Sequence, residues 1–272
     1  MPYGRRVVAA SSMIVDRLRK AGCVFAEDEA AILQASAGSP EQLDAMVAER
    51  VSGLPLEQVV GWAEFRGLRI EVDPGVFVPR RRSEFLVEVA IGLAPSLAPI
   101  VVDLCCGTGA LGLATAVGLS GHDASAGLSP QLHAAELDPA AVACARRNVE
   151  PAGGHVYEGD LFKALPGLLE ERVGILICNA PYVPTNQIAF MPPEARDHEA
   201  RIALDGGGDG LAILRRVAAQ APGWLTPGGT LLVETSGRQA GLMADVMTSA
   251  GLSPRVHDDE ETGATVVTGT RP

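Results

Sequence analysis

From Ser83 onward the chain alternates short apolar runs with helical stretches, and this pattern constrains the fold more than any other feature. The runs cover residues 100–104, 132–137, 155–158, 173–178 and 229–234. Helical spacing follows from about residue 109, over 139–149, from about 210 to 220 and over 239–250. A further helix is expected from Ser83, a capping residue, to about Leu93. Runs that stay apolar belong to strands buried on both faces, and strands joined by helices run parallel. The pattern therefore predicts an α/β domain with a mainly parallel sheet over 83–272. Val256 and residues 264–269 have no long helix between them, which predicts an antiparallel hairpin at the sheet edge.

The chain upstream has a different texture. Residues 1–58 group their apolar positions at helical spacing, as in Val7, Val8, Ile14, Val15 and Leu18, in 27–37 and in 40–51. Gly22, Gly38-Ser39-Pro40 and Gly53-Leu54-Pro55 punctuate them. A small helical N-terminal domain is expected there. Residues 59–82 contain a run rich in β-branched and aromatic residues, broken by Gly67 and Asp73-Pro74-Gly75, and read as a β-hairpin connector. Gly118–Pro130 reads as a surface loop. Residues 183–210 hold Pro184, Pro192, Pro193 and a Gly-Asp cluster, and a structureless connection of that length reads as a lid.

Charge and cysteines narrow the function classes. With 22 basic and 33 acidic residues the net charge is −11, which repels polyphosphate and argues against stable DNA binding. The five cysteines, Cys23, Cys105, Cys106, Cys144 and Cys178, have neither disulfide-framework nor zinc spacing. A reducing, cytoplasmic location is expected, with no signal peptide and no membrane span. The histidines are scattered and form no metal or catalytic set.

Two motifs carry chemistry. In VVDLCCGTGALG a strand ends at Asp103 and meets Gly107-Thr108-Gly109 and Gly112. Glycines at a strand–helix turn let a ligand approach the backbone and the free N–H groups of the next helix. This fits a dinucleotide or S-adenosyl-L-methionine (SAM). Asp103 favours SAM, because a carboxylate there suits an ammonium group and repels a pyrophosphate. Glu136, ending the next strand, can accept ribose hydroxyls of either ligand. Asp138-Pro139 reads as a helix start with Asp138 as its cap. Asp160, after the third strand, either lies near an adenine or caps a turn.

The second motif is Asn179-Ala180-Pro181-Tyr182, at the end of an apolar strand. Pro181 holds Ala180 extended, so that the Asn179 side-chain carbonyl and the Ala180 backbone carbonyl can converge on one planar NH₂ group. Tyr182 can cover its face. An amide or arylamine nitrogen is a poor nucleophile, and two carbonyls gripping its hydrogens orient it and favour the positive charge that develops on it.

These motifs, with EFRGLRIEVDPGVFVPR, AELDPAAVACARRN, GDLF, ALDGGGDGL and LTPGGTLLVETSGRQ, resemble the HemK-type protein-glutamine N5-methyltransferases from about Leu56 to Arg271. The resemblance implies a seven-stranded Rossmann-like sheet, SAM as methyl donor with S-adenosyl-L-homocysteine as product, and a peptide-chain release factor or other translation protein as substrate. It implies that Asp103, Gly107, Gly109 and Glu136 hold the donor, with Cys105, Thr108, Leu137, Asp160, Leu161 and Asn179 beside it. Asn179, Ala180, Pro181 and Tyr182 would hold the glutamine amide. The chain departs from the family pattern at Ala180, usually Pro, and at Arg80-Arg81-Arg82-Ser83-Glu84, where Pro-Glu-Thr-Glu usually follows the first Arg. It departs again at Glu199-Ala200, usually Glu-Pro. The basic triplet reads as a solvated face or as a grip on an acidic partner or an RNA-bearing assembly. The alternative function is adenine-N6 methylation of nucleic acid, which the same type of motif serves after base flipping. An NAD-dependent oxidoreductase would leave Asp103 and the second motif unexplained.

Overall fold

A computed structural model describes residues 3–94, 99–122 and 130–272. The N-terminal helices are α1 (Tyr3–Lys20), α2 (Ala26–Ser36), α3 (Pro40–Val51) and α4 (Leu56–Val60). Ser39 starts α3 by accepting the Gln42 N–H at 3.2 Å, with Pro40 in the first turn. Ile14, Leu18, Ala30, Leu33, Met46 and Val47 form a core of their own among these helices. The strands β1 (Trp62–Phe65) and β2 (Leu68–Glu71) pair antiparallel as the expected hairpin.

The main sheet contains β3 (Ile100–Leu104), β4 (Gln131–Glu136), β5 (His155–Glu158), β6 (Val173–Cys178), β7 (Leu225–Thr235), β8 (Ser253–Asp259) and β9 (Ala264–Thr270). Its order is β5-β4-β3-β6-β7-β9-β8. The pairs β3–β4, β3–β6, β4–β5 and β6–β7 are parallel, while β7–β9 and β8–β9 are antiparallel, as the edge hairpin required.

The apolar runs are buried on both faces because their side chains alternate between two cores. Val101, Ile175, Ile177 and Leu232 pack with α5 (Glu84–Gly92), α6 (Ala110–His122) and α7 (Pro139–Val149). Val102, Leu104, Leu176, Leu231 and Val233 pack with α9 (Ala212–Gln220) and α10 (Gly237–Ser249). The chain leaves β3 toward β4 and β5 on one side and returns to β6 on the other. That reversal opens a crevice at the strands' C-terminal ends, the usual place for ligands in such sheets.

Three local readings need correction. Helix α6 carries through Gly118 to His122, so the expected 118–130 loop begins later, and 123–129 lie outside the described residues. The 183–210 segment is not structureless: it holds 3₁₀ turns at Thr185–Phe190 and Arg201–Ala203 and the short helix α8 (Pro193–His198). Ser83 precedes α5 but makes no cap bond, since its hydroxyl is used elsewhere. Among the described residues no helix is long and apolar enough to cross a membrane.

Candidate functional site

The crevice beyond β3, β4, β6 and β7 is a single large pocket. Of the residues expected at a methyl donor, Cys105, Gly107, Thr108, Glu136 and Leu137 line it; Asn179, Ala180, Pro181 and Tyr182 line it too. Gly107 has φ +56°, and a Cβ there would meet nothing within 4 Å, so the turn is open to a ligand. Gly109 differs. A Cβ on it would lie 2.5 Å from Val149 Cγ2, so this glycine lets α6 pack on α7 and is not on the pocket lining.

Asp103 is also off the lining. It is 1% exposed, beneath the turn, and its Oδ2 accepts the Gly112 N–H at 2.8 Å. Its Oδ1 is buried without a partner. Burial pushes the carboxyl up to about 7; the Gly112 bond offsets part of this and the nearby Glu136 charge adds to it. Glu136 ends β4 and folds back under the turn, accepting N–H groups of Gly107 at 2.9 Å, Leu137 at 2.6 Å and Asp138 at 3.0 Å. Asp138 caps α7 through the Ala140 N–H at 3.0 Å, as expected.

Asp160 and Leu161 belong to a smaller adjoining pocket, which shares Cys105, Leu137 and Ile213 with the main one. Asp160 caps nothing with its side chain. Arg216 of α9 grips both its oxygens, at 2.8 and 2.6 Å. The neighbouring Cys178 thiol together with burial pushes the Cys105 thiol well above the usual thiol range. Burial does the same to Cys106. Neither cysteine has the thiolate character of a nucleophile.

The far side of the pocket is organised by a residue to which sequence reasoning gave no role. Glu234, at the end of β7, is 2% exposed. Its Oε2 accepts the Ser83 hydroxyl at 2.5 Å and the Asn179 amide at 3.3 Å. Its Oε1 accepts the Tyr182 hydroxyl at 2.8 Å and pairs with Arg82 Nε at 3.0 Å. Arg82 also donates to the Tyr182 hydroxyl. Burial and the Glu234 charge push the Tyr182 phenol far up, so it stays a neutral donor. The usable signal was positional: a lone carboxylate closing the apolar run LLVE, as Asp103 and Glu136 close theirs.

Among the described residues two oxygens of the second motif are left free, one on Asn179 and one on Ala180. A carboxylate only accepts, so the atom that Asn179 turns to Glu234 is its NH₂. Its Oδ1 is left over. Among the described residues no donor reaches that oxygen or the Ala180 carbonyl. Two vacant acceptors thus stand on neighbouring residues at the exit of β6.

The basic triplet is divided rather than uniformly solvated. Arg80 reaches the buried Glu199 of the 183–210 segment at 2.6 Å, Arg82 pairs with Glu234, and Arg81 is exposed. Further ties hold the segment over the pocket. Gln239 of α10 donates to the carbonyls of Tyr182 and Asp209, both at 2.9 Å. Arg50 of α3 bonds Glu29 at 2.6 Å and Glu194 of α8 at 2.7 Å.

Comparison with known proteins gives the family. The family model described as "Methyltransferase small domain" matches residues 67–216. A release factor glutamine methyltransferase of Geobacter sulfurreducens is 36% identical over 238 residues, 86% of this chain and 80% of that protein. A 4-amino-L-phenylalanine/4-methylamino-L-phenylalanine methyltransferase of Streptomyces pristinaespiralis is 36% identical over 194 residues, covering 69% of this chain and 63% of that one. Among solved structures, a methyltransferase from Pyrococcus furiosus shares the fold at TM-score 0.53 and 14% identity, covering 76% of this chain and 90% of that one. With its domain matched over more than half its length and relatives at 36–38% identity aligned over 70–80% of their own length, the chain belongs to the release factor glutamine methyltransferase family.

Proposed function

We propose that this protein transfers a methyl group from SAM to the side-chain amide nitrogen of a glutamine in a peptide-chain release factor. The observation that carries this reading is the pair of vacant oxygens, Asn179 Oδ1 and the Ala180 carbonyl, at the mouth of β6. They match the two hydrogens of a primary amide. Gripping both turns the nitrogen lone pair toward an electrophile and favours positive charge on the nitrogen. No strong base is needed, because the proton leaves after the bond has formed. The segment over 183–210 keeps water from the site, which strengthens these contacts.

The residues of the other half fit SAM. The open Gly107 turn admits a ligand against the backbone, and the buried unpartnered Asp103 Oδ1 suits a cationic group nearby. Gly107, Thr108 and Glu136 would hold the amino-acid and ribose parts, and the adjoining pocket with Asp160 and Leu161 would take the adenine. When bound, SAM supplies an electrophilic methyl on sulfur. A dinucleotide fits worse: the arginines that line the main pocket, Arg80 and Arg82, are both already paired with carboxylates. The N-terminal helices would dock the protein substrate. The net charge of −11 disfavours a nucleic-acid acceptor.

Methyl-labelled SAM offered with release factors, ribosomal proteins, DNA, RNA and 4-amino-L-phenylalanine tests the proposal. The expected result is label on one glutamine of a release factor, located by mass spectrometry. Label in nucleic acid or on the free arylamine, with none in release factor, would overturn it.

A further inference from the structure

Glu234 shares the pocket with the second motif but has no part in the reading above beyond its contacts. Its position is set by the backbone. Strands β6 and β7 are in parallel register with Cys178 opposite Val233, so the next residues, Asn179 and Glu234, lie side by side. The two carboxylate oxygens divide their partners. Oε1 takes Arg82 and Tyr182, while Oε2 takes the Ser83 hydroxyl and the Asn179 amide; because Ser83 donates to Glu234, its oxygen is turned to accept from the same Asn179 NH₂ at 3.3 Å. Arg82 supplies a countercharge for a side chain that is 2% exposed.

An asparagine amide is nearly symmetric in shape, and either end can face a ligand. Only its hydrogen-bond partners decide which. If Asn179 were reversed, its NH₂ would confront the acceptor NH₂, donor against donor. We propose that Glu234 is the positioning residue that fixes the Asn179 amide with its carbonyl toward the acceptor nitrogen, with Arg82 holding that carboxylate in place. This rests on the proposed transfer to an amide nitrogen. It adds a requirement: the atom facing Asn179 from β7 must be an acceptor.

Glutamine at 234 tests that requirement. With its Oε1 kept by Arg82 and Tyr182, its Nε2 would face Asn179 and turn the asparagine around. Glu234→Gln is therefore expected to lower kcat/KM for the acceptor by about 100-fold, the scale of a misplaced reacting group. Affinity for S-adenosyl-L-homocysteine, read by calorimetry, is expected to stay within about twofold, because the donor half is untouched. Asn179→Asp sets two carboxylates against each other and is expected to be inactive. Adding Glu234→Gln to it restores a donor–acceptor pair and leaves one Asp oxygen for the acceptor. That double variant is expected to exceed Asn179→Asp by at least about tenfold, a coupling that a merely structural role would not produce.

The proposal is overturned if Glu234→Gln stays within about threefold of the wild type, or if the double variant shows no rescue although both variants bind S-adenosyl-L-homocysteine. It is also overturned if Glu234→Gln no longer binds S-adenosyl-L-homocysteine, since the residue would then be holding the fold. A wild-type protein that methylates no amide contradicts the proposed function instead. The orientation is then read directly from hydrogen exchange of the Asn179 side-chain NH₂, expected to be slow in the wild type and fast in Glu234→Gln. Equal rates would overturn the positioning role.

Discussion

Asp103 shows how one buried carboxyl can set a pH dependence. Its pKa of about 7 in the folded chain lies above the unfolded value of roughly 3.9. Between those values the folded chain keeps a proton that the unfolded chain has lost, so stability falls as pH rises through that window. Asp103→Asn keeps an oxygen for the Gly112 N–H and removes the charge. Chemical unfolding of both proteins at pH 4.5 and 7.5 is expected to show the wild type losing a few kcal/mol relative to the variant as pH rises. A constant difference would contradict the burial argument. Residues of this kind were legible because each ends an apolar run, as Asp103, Glu136 and Asn179 do. Ser83 was misread for the opposite reason. A capping pattern looks only at the next turn, and the Ser83 hydroxyl goes to a carboxylate 151 residues away. The grip of Arg216 on Asp160, across 56 residues, was hidden in the same way.

At the scale of elements, the strands could be read because burial on both faces demands unbroken apolar runs. The 183–210 segment could be recognised as a covering element from its prolines and glycines. Its internal turns could not, since a helix of six residues such as α8 is too short to show periodicity. What fixes the segment is its return to the second motif. Gly210 has φ +81°, and a Cβ there would collide with the Tyr182 carbonyl and the Gln239 amide. Gly210→Ala is expected to cost about 1–3 kcal/mol in thermal unfolding and to raise KM for the acceptor, with S-adenosyl-L-homocysteine affinity kept. Gln239→Leu removes both bonds to the Tyr182 and Asp209 carbonyls, and the Ser236 bonds that cap α10, without adding bulk at the turn. It is expected to raise the acceptor KM and to lower stability through the lost cap. Unchanged KM in both variants would show that the segment's closure has no part in acceptor binding.

In the whole molecule the N-terminal helices reach the site through Arg50, which pairs with Glu194 of α8, and through Gln58 of α4, which bonds the Val76 carbonyl and the Gly75 N–H at the pocket wall. Arg50, 6% exposed, bridges Glu29 of α2, the Leu54 carbonyl and Glu194 of α8. Arg50→Met leaves the Glu29 carboxylate without its partner, and breaking a pair buried to this degree typically costs about 3–5 kcal/mol. It also frees α8, so amide exchange over 193–204 is expected to quicken while the crevice strands stay protected. Equal exchange in that stretch would show that the helices do not brace the covering segment. Sequence alone indicated a helical N-terminal part and a hairpin but not this brace, which depends on residues far apart in the chain. The central claim, that Asn179 and Ala180 hold the nitrogen that is methylated, is tested most directly by Asn179→Ala in a single-turnover assay with excess enzyme, SAM and release factor. The account predicts transfer at least about 100-fold slower than wild type, with S-adenosyl-L-homocysteine affinity within about twofold. Transfer at the wild-type rate by that variant would contradict it.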